Sequence, residues 1–151
     1  MLRDQINDAL KDAMKAKDQR RISTLRLVNA ALKNADIEAR GQGKEGLGDE
    51  AILGLLQKMI KQRQEAIDLY EKGGRAELAQ QEREEADIIA SYLPKQMSEI
   101  EMKAAIEAAI KETGAASMKD MGKVIGSLRT KYAGQMDFSR ASGLVKERLS
   151  K

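Results

Sequence analysis

Leu2, Ile6, Leu10 and Met14 stand four residues apart, and Ile22, Leu25, Val28 and Leu32 stand three and four apart. Apolar residues at this spacing fall on one face of an α-helix, because the helix repeats every 3.6 residues. The same spacing recurs along the rest of the chain, and no stretch alternates apolar and polar residues as a half-buried strand does. Ala, Leu, Glu, Lys, Gln and Ile dominate, with one proline and only four aromatic residues, Tyr70, Tyr92, Tyr132 and Phe138. An all-α, multihelical fold is therefore expected.

The first helix should end near Asp18 and the second near Arg40. The segment GQGKEGLG, residues 41–48, has four glycines in eight positions and reads as a mobile loop. It lacks the Gly-x-x-x-x-Gly-Lys-Ser/Thr pattern of a phosphate-binding P-loop. Asp49 is expected to cap a long third helix whose stripe is Ile52, Leu55, Leu56, Met59, Ile60, Ile67 and Tyr70. Gly73-Gly74 should end it. A fourth helix is expected from about Arg75 to Leu93, with Leu78, Ala86, Ile89 and Leu93 on its core edge. The acidic run Glu82, Glu84, Glu85, Asp87 would form its solvated face, and Pro94 its stop.

The best domain boundary is the LPKQMSE segment, which divides the chain into 1–94, a bundle of four longer helices, and 95–151, a small three-helix subdomain. Ser98 and Glu101 fit a capping box, opening a fifth helix with Met102, Ala105, Ile106, Ala109 and Ile110 inward and Gly114 at its end. A sixth helix, Met118–Tyr132, should start on Ser117 and Asp120 and close at Gly134. Asp137 or Ser139 opens a seventh, with Ala141, Leu144, Val145 and Leu149 buried.

A chain of 151 residues buries roughly 68–70% of its unfolded surface and needs no covalent staple. Cysteine is absent, which excludes a disulfide framework and thiolate metal sites. Histidine is absent too, removing the commonest general base and metal ligand. Any catalysis would rest on Asp, Glu, Lys, Ser or Tyr, and no spacing singles out a catalytic pair. No catalytic residue, metal or cofactor is expected. The first eighteen residues are charged throughout, without the apolar core of a signal peptide. No apolar run approaches the ~20 residues of a membrane span. A cytoplasmic location without membrane contact is the resulting expectation.

The charge is uneven. The net value is +3, yet residues 113–151 carry eight Lys and Arg against three Asp and Glu. In the sixth helix Lys119, Lys123, Ser127 and Lys131 form a ridge, and Gly122 and Gly126 lie between it and the apolar stripe. A glycine inside a helix costs about 1 kcal/mol relative to alanine, so two of them, four apart, suggest that something approaches the backbone closely. A neighbouring helix would serve, and so would a phosphate backbone met by the lysines. Arg129 and Lys146 extend this candidate RNA-binding set. A second basic patch, Lys15, Lys17, Arg20, Arg21 and Arg26, lies at the turn between the first two helices. There it faces RNA or protein, or is simply a solvated turn favoured by the helix dipole.

The segment Ser117-Met-Lys-Asp-Met-Gly-Lys-Val-Ile-Gly-Ser-Leu, continuing through Gly134 to Val145-Lys-Glu-Arg-Leu149, resembles the tail domain of the GatB/YqeY family. Ala13-Met-Lys-Ala-Lys-Asp18, Thr24-Leu-Arg26, Tyr92-Leu-Pro94 and Gly114-Ala-Ala-Ser117 are similar to the stand-alone members of that family. The resemblance covers essentially the whole chain. It implies a relation to tRNA metabolism, since the same tail closes the B subunit of the glutamyl-tRNA(Gln)/aspartyl-tRNA(Asn) amidotransferase, where it is associated with tRNA binding. It is also appended to some glutaminyl-tRNA synthetases. Nothing here matches the kinase-like or amidase parts of the amidotransferase. Carbon–nitrogen ligase activity with glutamine as amido donor thus belongs, on this resemblance, to the larger enzyme. The family commonly reads Ala-Asp-Gly where this chain has Met136-Asp137-Phe138, which changes the turn before the last helix.

Three functions follow as expectations. The first is a non-catalytic tRNA-binding accessory module. The second is a protein-interaction module docking on an aminoacyl-tRNA synthetase or amidotransferase. The third is a glutamine-dependent ligase. No DNA partner is expected.

Overall fold

The computed structural model describes residues 2–150, and they form an all-α, multihelical structure of two compact units, Met1–Pro94 and Lys95–Lys151. In the first unit the helices are α1 (Leu2–Ala16), α2 (Gln19–Gly41), α3 (Asp49–Lys72) and α4 (Ala76–Ala90). Their shared core is built on Ile6, Leu25, Val28, Ile52, Leu56 and Ile89. Each such side chain contributes about 1.5–3 kcal/mol by leaving water.

Several expectations change here. On α1, Leu2 and Ile6 are buried, Leu10 is half-buried and Met14 is exposed, while Ala13 takes the inner place. A step of four residues turns about 400° on a helix, so a strict four-residue row drifts about 40° per step away from the core. The third helix begins at Asp49 with Gly48, not Asp49, as its N-cap. Asp49 instead accepts a 3.4 Å bond from the Leu2 N–H, and its charge suits the positive end of the helix. On α3, only Ile52, Leu56 and Met59 are fully buried. Beyond Met59 no residue of α3 is fully buried, and Ile67 and Tyr70 are half-exposed.

The fourth helix stops at Ala90, short of Leu93. The Ser91 hydroxyl donates to the Ile88 carbonyl at 2.6 Å, and the chain turns there, before Pro94 can act. Its inner residues are Ala79, Glu85 and Ile89, whereas Leu78 is exposed. Glu85 therefore leaves the solvated acidic face to which it was assigned. It lies 6% exposed beside Arg63 of α3, with Arg63 Nε 3.3 Å from its Oε2. The nitrogen is buried and off-axis, so the contact is one of charge rather than an aligned hydrogen bond.

The glycine-rich loop is not free along its length. The buried Asp36 carboxylate accepts two bonds from the Arg3 guanidinium, at 2.6 and 2.8 Å, and a third from the Leu47 N–H at 3.0 Å. The Arg3 bond in particular, then the Leu47 amide, hold Asp36 below the ordinary carboxylate pKa. Gly46 is needed where it stands, with φ +146° and a would-be Cβ only 3.3 Å from Asp36 Oδ1.

The second unit comprises α5 (Glu99–Thr113), a 3-10 turn (Met118–Asp120), α6 (Met121–Tyr132) and α7 (Phe138–Leu149). The capping box of Ser98 and Glu101 is formed, and Gly114 closes α5 in the left-handed conformation. Met102, Ala105, Ile106, Ala109 and Ile110 pack with Val124, Leu128, Met136, Ala141, Leu144, Val145 and Leu149 into one core. Asp137 caps α7, its carboxylate accepting from Ser139 and Arg140 N–H. Phe138 becomes the first residue of α7, partly buried against this core, with the Arg129 guanidinium 5.8 Å from its ring centroid.

Candidate nucleic-acid interface

The 3-10 turn and α6 carry the charged candidates. The Asp120 carboxylate accepts from the Ala116 N–H at 2.9 Å and the Ser117 N–H at 3.4 Å. These bonds fix the entry to α6, and the Ala116 bond first, then Ser117, lowers the Asp120 pKa. The helix then rotates about 100° per residue. Val124 and Leu128 point into the core, with Met121, Ile125 and Tyr132 at its edge. Gly122, Lys123, Gly126, Arg129 and Thr130 are exposed. The glycines thus lie near the middle of the solvent face rather than between the ridge and the buried stripe.

A Cβ added at Gly122 or Gly126 would meet nothing within 4 Å. Packing of a neighbouring helix among the described residues, the ordinary reason for such glycines, is therefore excluded. They leave a strip of bare backbone, continued by Thr130, whose hydroxyl donates to the Gly126 carbonyl at 3.0 Å. Gly54 on α3 is equally open, and Gly143 on α7 is a further exposed helical glycine with open surroundings that sequence reasoning missed. Its only signal was a glycine inside the apolar spacing of the last helix.

The cations separate into two groups. Lys119, Lys123 and Lys146 are exposed and make no ion pair among the described residues. Arg129 rests over Phe138. Lys131 is paired with Glu112 of α5, which raises its pKa. Arg140 is paired with Glu99, and Arg148 Nε stands 2.5 Å from Glu107 Oε1. Ser127 is half-buried at the side of the ridge. Lys131 and Ser127 therefore stand apart from the open strip, while Lys119 and Lys123 border it.

At the α1–α2 turn the second patch is also divided. Lys15 and Lys17 are exposed, and Lys17 adopts φ +57°. The Asp18 side chain accepts from the Arg21 N–H, which spends the backbone of Arg21 on the helix cap. Arg20 Nε donates to Glu84 Oε2 at 3.1 Å, and Arg26 reaches the Met14 sulfur at 3.8 Å. Among the described residues no group of three or more carboxylates is placed to hold a metal ion, and no helix is long and apolar enough to cross a membrane.

Comparison with known proteins adds two findings. A protein of Lachancea thermotolerans named "Altered inheritance of mitochondria protein 41, mitochondrial" is 40% identical over 84 residues, 56% of this chain and 43% of the relative. Proteins of the same name from Eremothecium gossypii and Saccharomyces cerevisiae are 37% and 31% identical over matches of 84 residues, covering 44% of each relative. The match thus spans less than half the length of these curated relatives. They are named as mitochondrial proteins, and this overturns the expectation of a cytoplasmic location. The charged composition of the first eighteen residues spoke only to secretion, since organellar addresses are amphipathic rather than apolar. The second finding concerns nearly the full chain, both units included: the profile of the Yqey-like protein family matches residues 3–149. The chain belongs to the Yqey-like protein family.

Proposed function

We propose that this YqeY-like protein is a non-catalytic accessory module that contacts RNA, with tRNA as its target, through the solvent face of α6. One observation carries the proposal. Gly122 and Gly126 hold bare helix backbone open to solvent, with no internal neighbour within 4 Å, beside the exposed cations Lys119 and Lys123, which make no ion pair among the described residues. Helical glycines destabilise the element that contains them, so an external partner that comes close to the backbone accounts for their presence. A phosphate chain matches the flanking ammonium groups. The resemblance to the amidotransferase tail supports tRNA over other RNA.

The test is fluorescence anisotropy with labelled tRNA, beside a random single-stranded RNA, at two salt concentrations. Tight binding should favour tRNA, and log K should fall by roughly 0.7–0.9 per phosphate contacted for each decade of salt. The pair Lys119→Glu with Lys123→Glu should weaken binding to all tRNAs about equally, because phosphate contacts carry no sequence information. Gly122→Ala with Gly126→Ala should stabilise the second unit by about 1 kcal/mol per site and weaken tRNA binding at the same time. Unchanged tRNA binding in both double variants would refute the assignment.

A further inference from the structure

The long helix α2 has two faces made mainly of uncharged residues, Asp36 being the exception on the buried one. One, with Leu25, Val28 and Leu32, is buried in the first unit. The other is exposed and consists of Ser23, Leu27, Ala30, Asn34, Ile37 and Gly41. These six positions are spaced 4, 3, 4, 3 and 4 residues apart, the spacing of a coiled-coil seam. The seam runs about 27 Å, since each helical residue rises about 1.5 Å. Leu27 is 48% and Ile37 59% exposed, so two branched apolar side chains stand in water on a helix whose core needs are already met.

One edge of the seam is uniformly basic. Arg26, Lys33 and Arg40 follow one another at intervals of seven, all exposed, and none has an ion pair among the described residues. Arg26 touches the Met14 sulfur and Arg40 the Glu45 carbonyl oxygen, neither of them a carboxylate. The opposite edge holds Ala31 and Glu38. Charges beside such a seam select the partner and its direction.

We propose that this face of α2 docks an amphipathic helix of another protein, with apolar residues at coiled-coil spacing and carboxylates along the flank that meets Arg26, Lys33 and Arg40. The charge row selects against a second copy of this chain. In an antiparallel pair the basic row meets itself. In a parallel pair it meets the row of Ala31 and Glu38, which offers one carboxylate. Ala30 leaves room for a large side chain from the partner, and Asn34 favours a polar residue opposite, a pairing that fixes register.

The probe is a labelled helical peptide of about three heptads, with leucine at the seam, one asparagine at a central seam position and glutamate on both flanks. A second peptide carries lysine on the flanks. Anisotropy titration against the full chain should show binding of the glutamate peptide only. Ile37→Asp, an exposed change that should leave the helical melt unaltered, should weaken it about tenfold or more, which is more than about 1.4 kcal/mol. Arg26→Glu with Arg40→Glu should reverse the preference towards the lysine peptide, whereas Lys119→Glu with Lys123→Glu should leave glutamate-peptide binding unchanged. The proposal is overturned if the Ile37→Asp variant binds as the parent does, or if no binding is seen at millimolar peptide. It is also overturned if light scattering shows a dimer that Ile37→Asp converts to monomer, which would make a second copy the occupant.

Discussion

Replacing Glu85 with methionine should destabilise the first unit by about 3 kcal/mol, the lower end of the range for breaking a buried ion pair by removing one partner. The lower end applies because Arg63 retains 13% side-chain exposure, and its Nη1 still donates to the Met59 carbonyl at 3.2 Å. Glu85 is 8% exposed on the same scale and faces Arg63 between α4 and α3, with Glu82 the other carboxylate on which the Arg63 charge acts. Methionine keeps the volume, so the loss reports charge rather than a cavity. The second variant, Arg63→Met with Glu85→Met, removes both charges and fills the site with apolar atoms. It should fall within about 1 kcal/mol of the parent or exceed it. Urea unfolding followed by helical circular dichroism gives both values, and hydrogen exchange of peptides from α3 and α4 places the loss in that hairpin. A cost below about 1 kcal/mol for Glu85→Met, the size of an exposed pair, would refute the reasoning. A double variant weaker than the single would refute it as well.

Glu82 is neighbour to this pair, and burial first, then the charge of Glu85, raises its pKa above the ordinary 4.5. The folded state therefore holds the Glu82 proton more tightly than the unfolded state. Stability should fall as pH rises from about 4.5 through the raised value, and Glu82→Gln should remove that fall in melts run across the window. Lys17→Gly should raise the melting temperature, because a left-handed residue with a Cβ costs about 1 kcal/mol that glycine avoids. Gly46→Ala should cost about 1–3 kcal/mol in urea unfolding, from its positive φ and the 3.3 Å approach to Asp36. A neutral result there would show that the loop can leave Asp36.

Where a helix packs on the core along its whole length, its inner face was legible from spacing. All five expected inner residues of α5 and all four of α7 are buried, since there the apolar period and the core agree. Reading failed where packing covers only part of a helix. The stripe of α3 continues in sequence past Met59, yet α4 is the main neighbour of α3, and Ile67 and Tyr70 stay half-exposed. Glu85 was missed because charge suggests solvent, and only tertiary structure reveals that Arg63 waits opposite. At the candidate interface, the glycines and lysines were visible as residue types. Which of the cations were already occupied was not, because Glu99, Glu107 and Glu112 reach Arg140, Arg148 and Lys131 from positions 19 to 41 residues away.

Those three bridges alter what a polyanion would meet. Three of the eight cations counted in residues 113–151 already have a carboxylate in place, held there by the fold. Phosphates would have to displace those carboxylates, so at low ionic strength the protein should behave as though it had far fewer positive charges. Added salt screens such exposed bridges, releasing the cations while it weakens every phosphate contact. A plot of log affinity against log salt should therefore be shallower than the charge count suggests, starting near the slope set by Lys119, Lys123, Arg129 and Lys146, about −3 to −4.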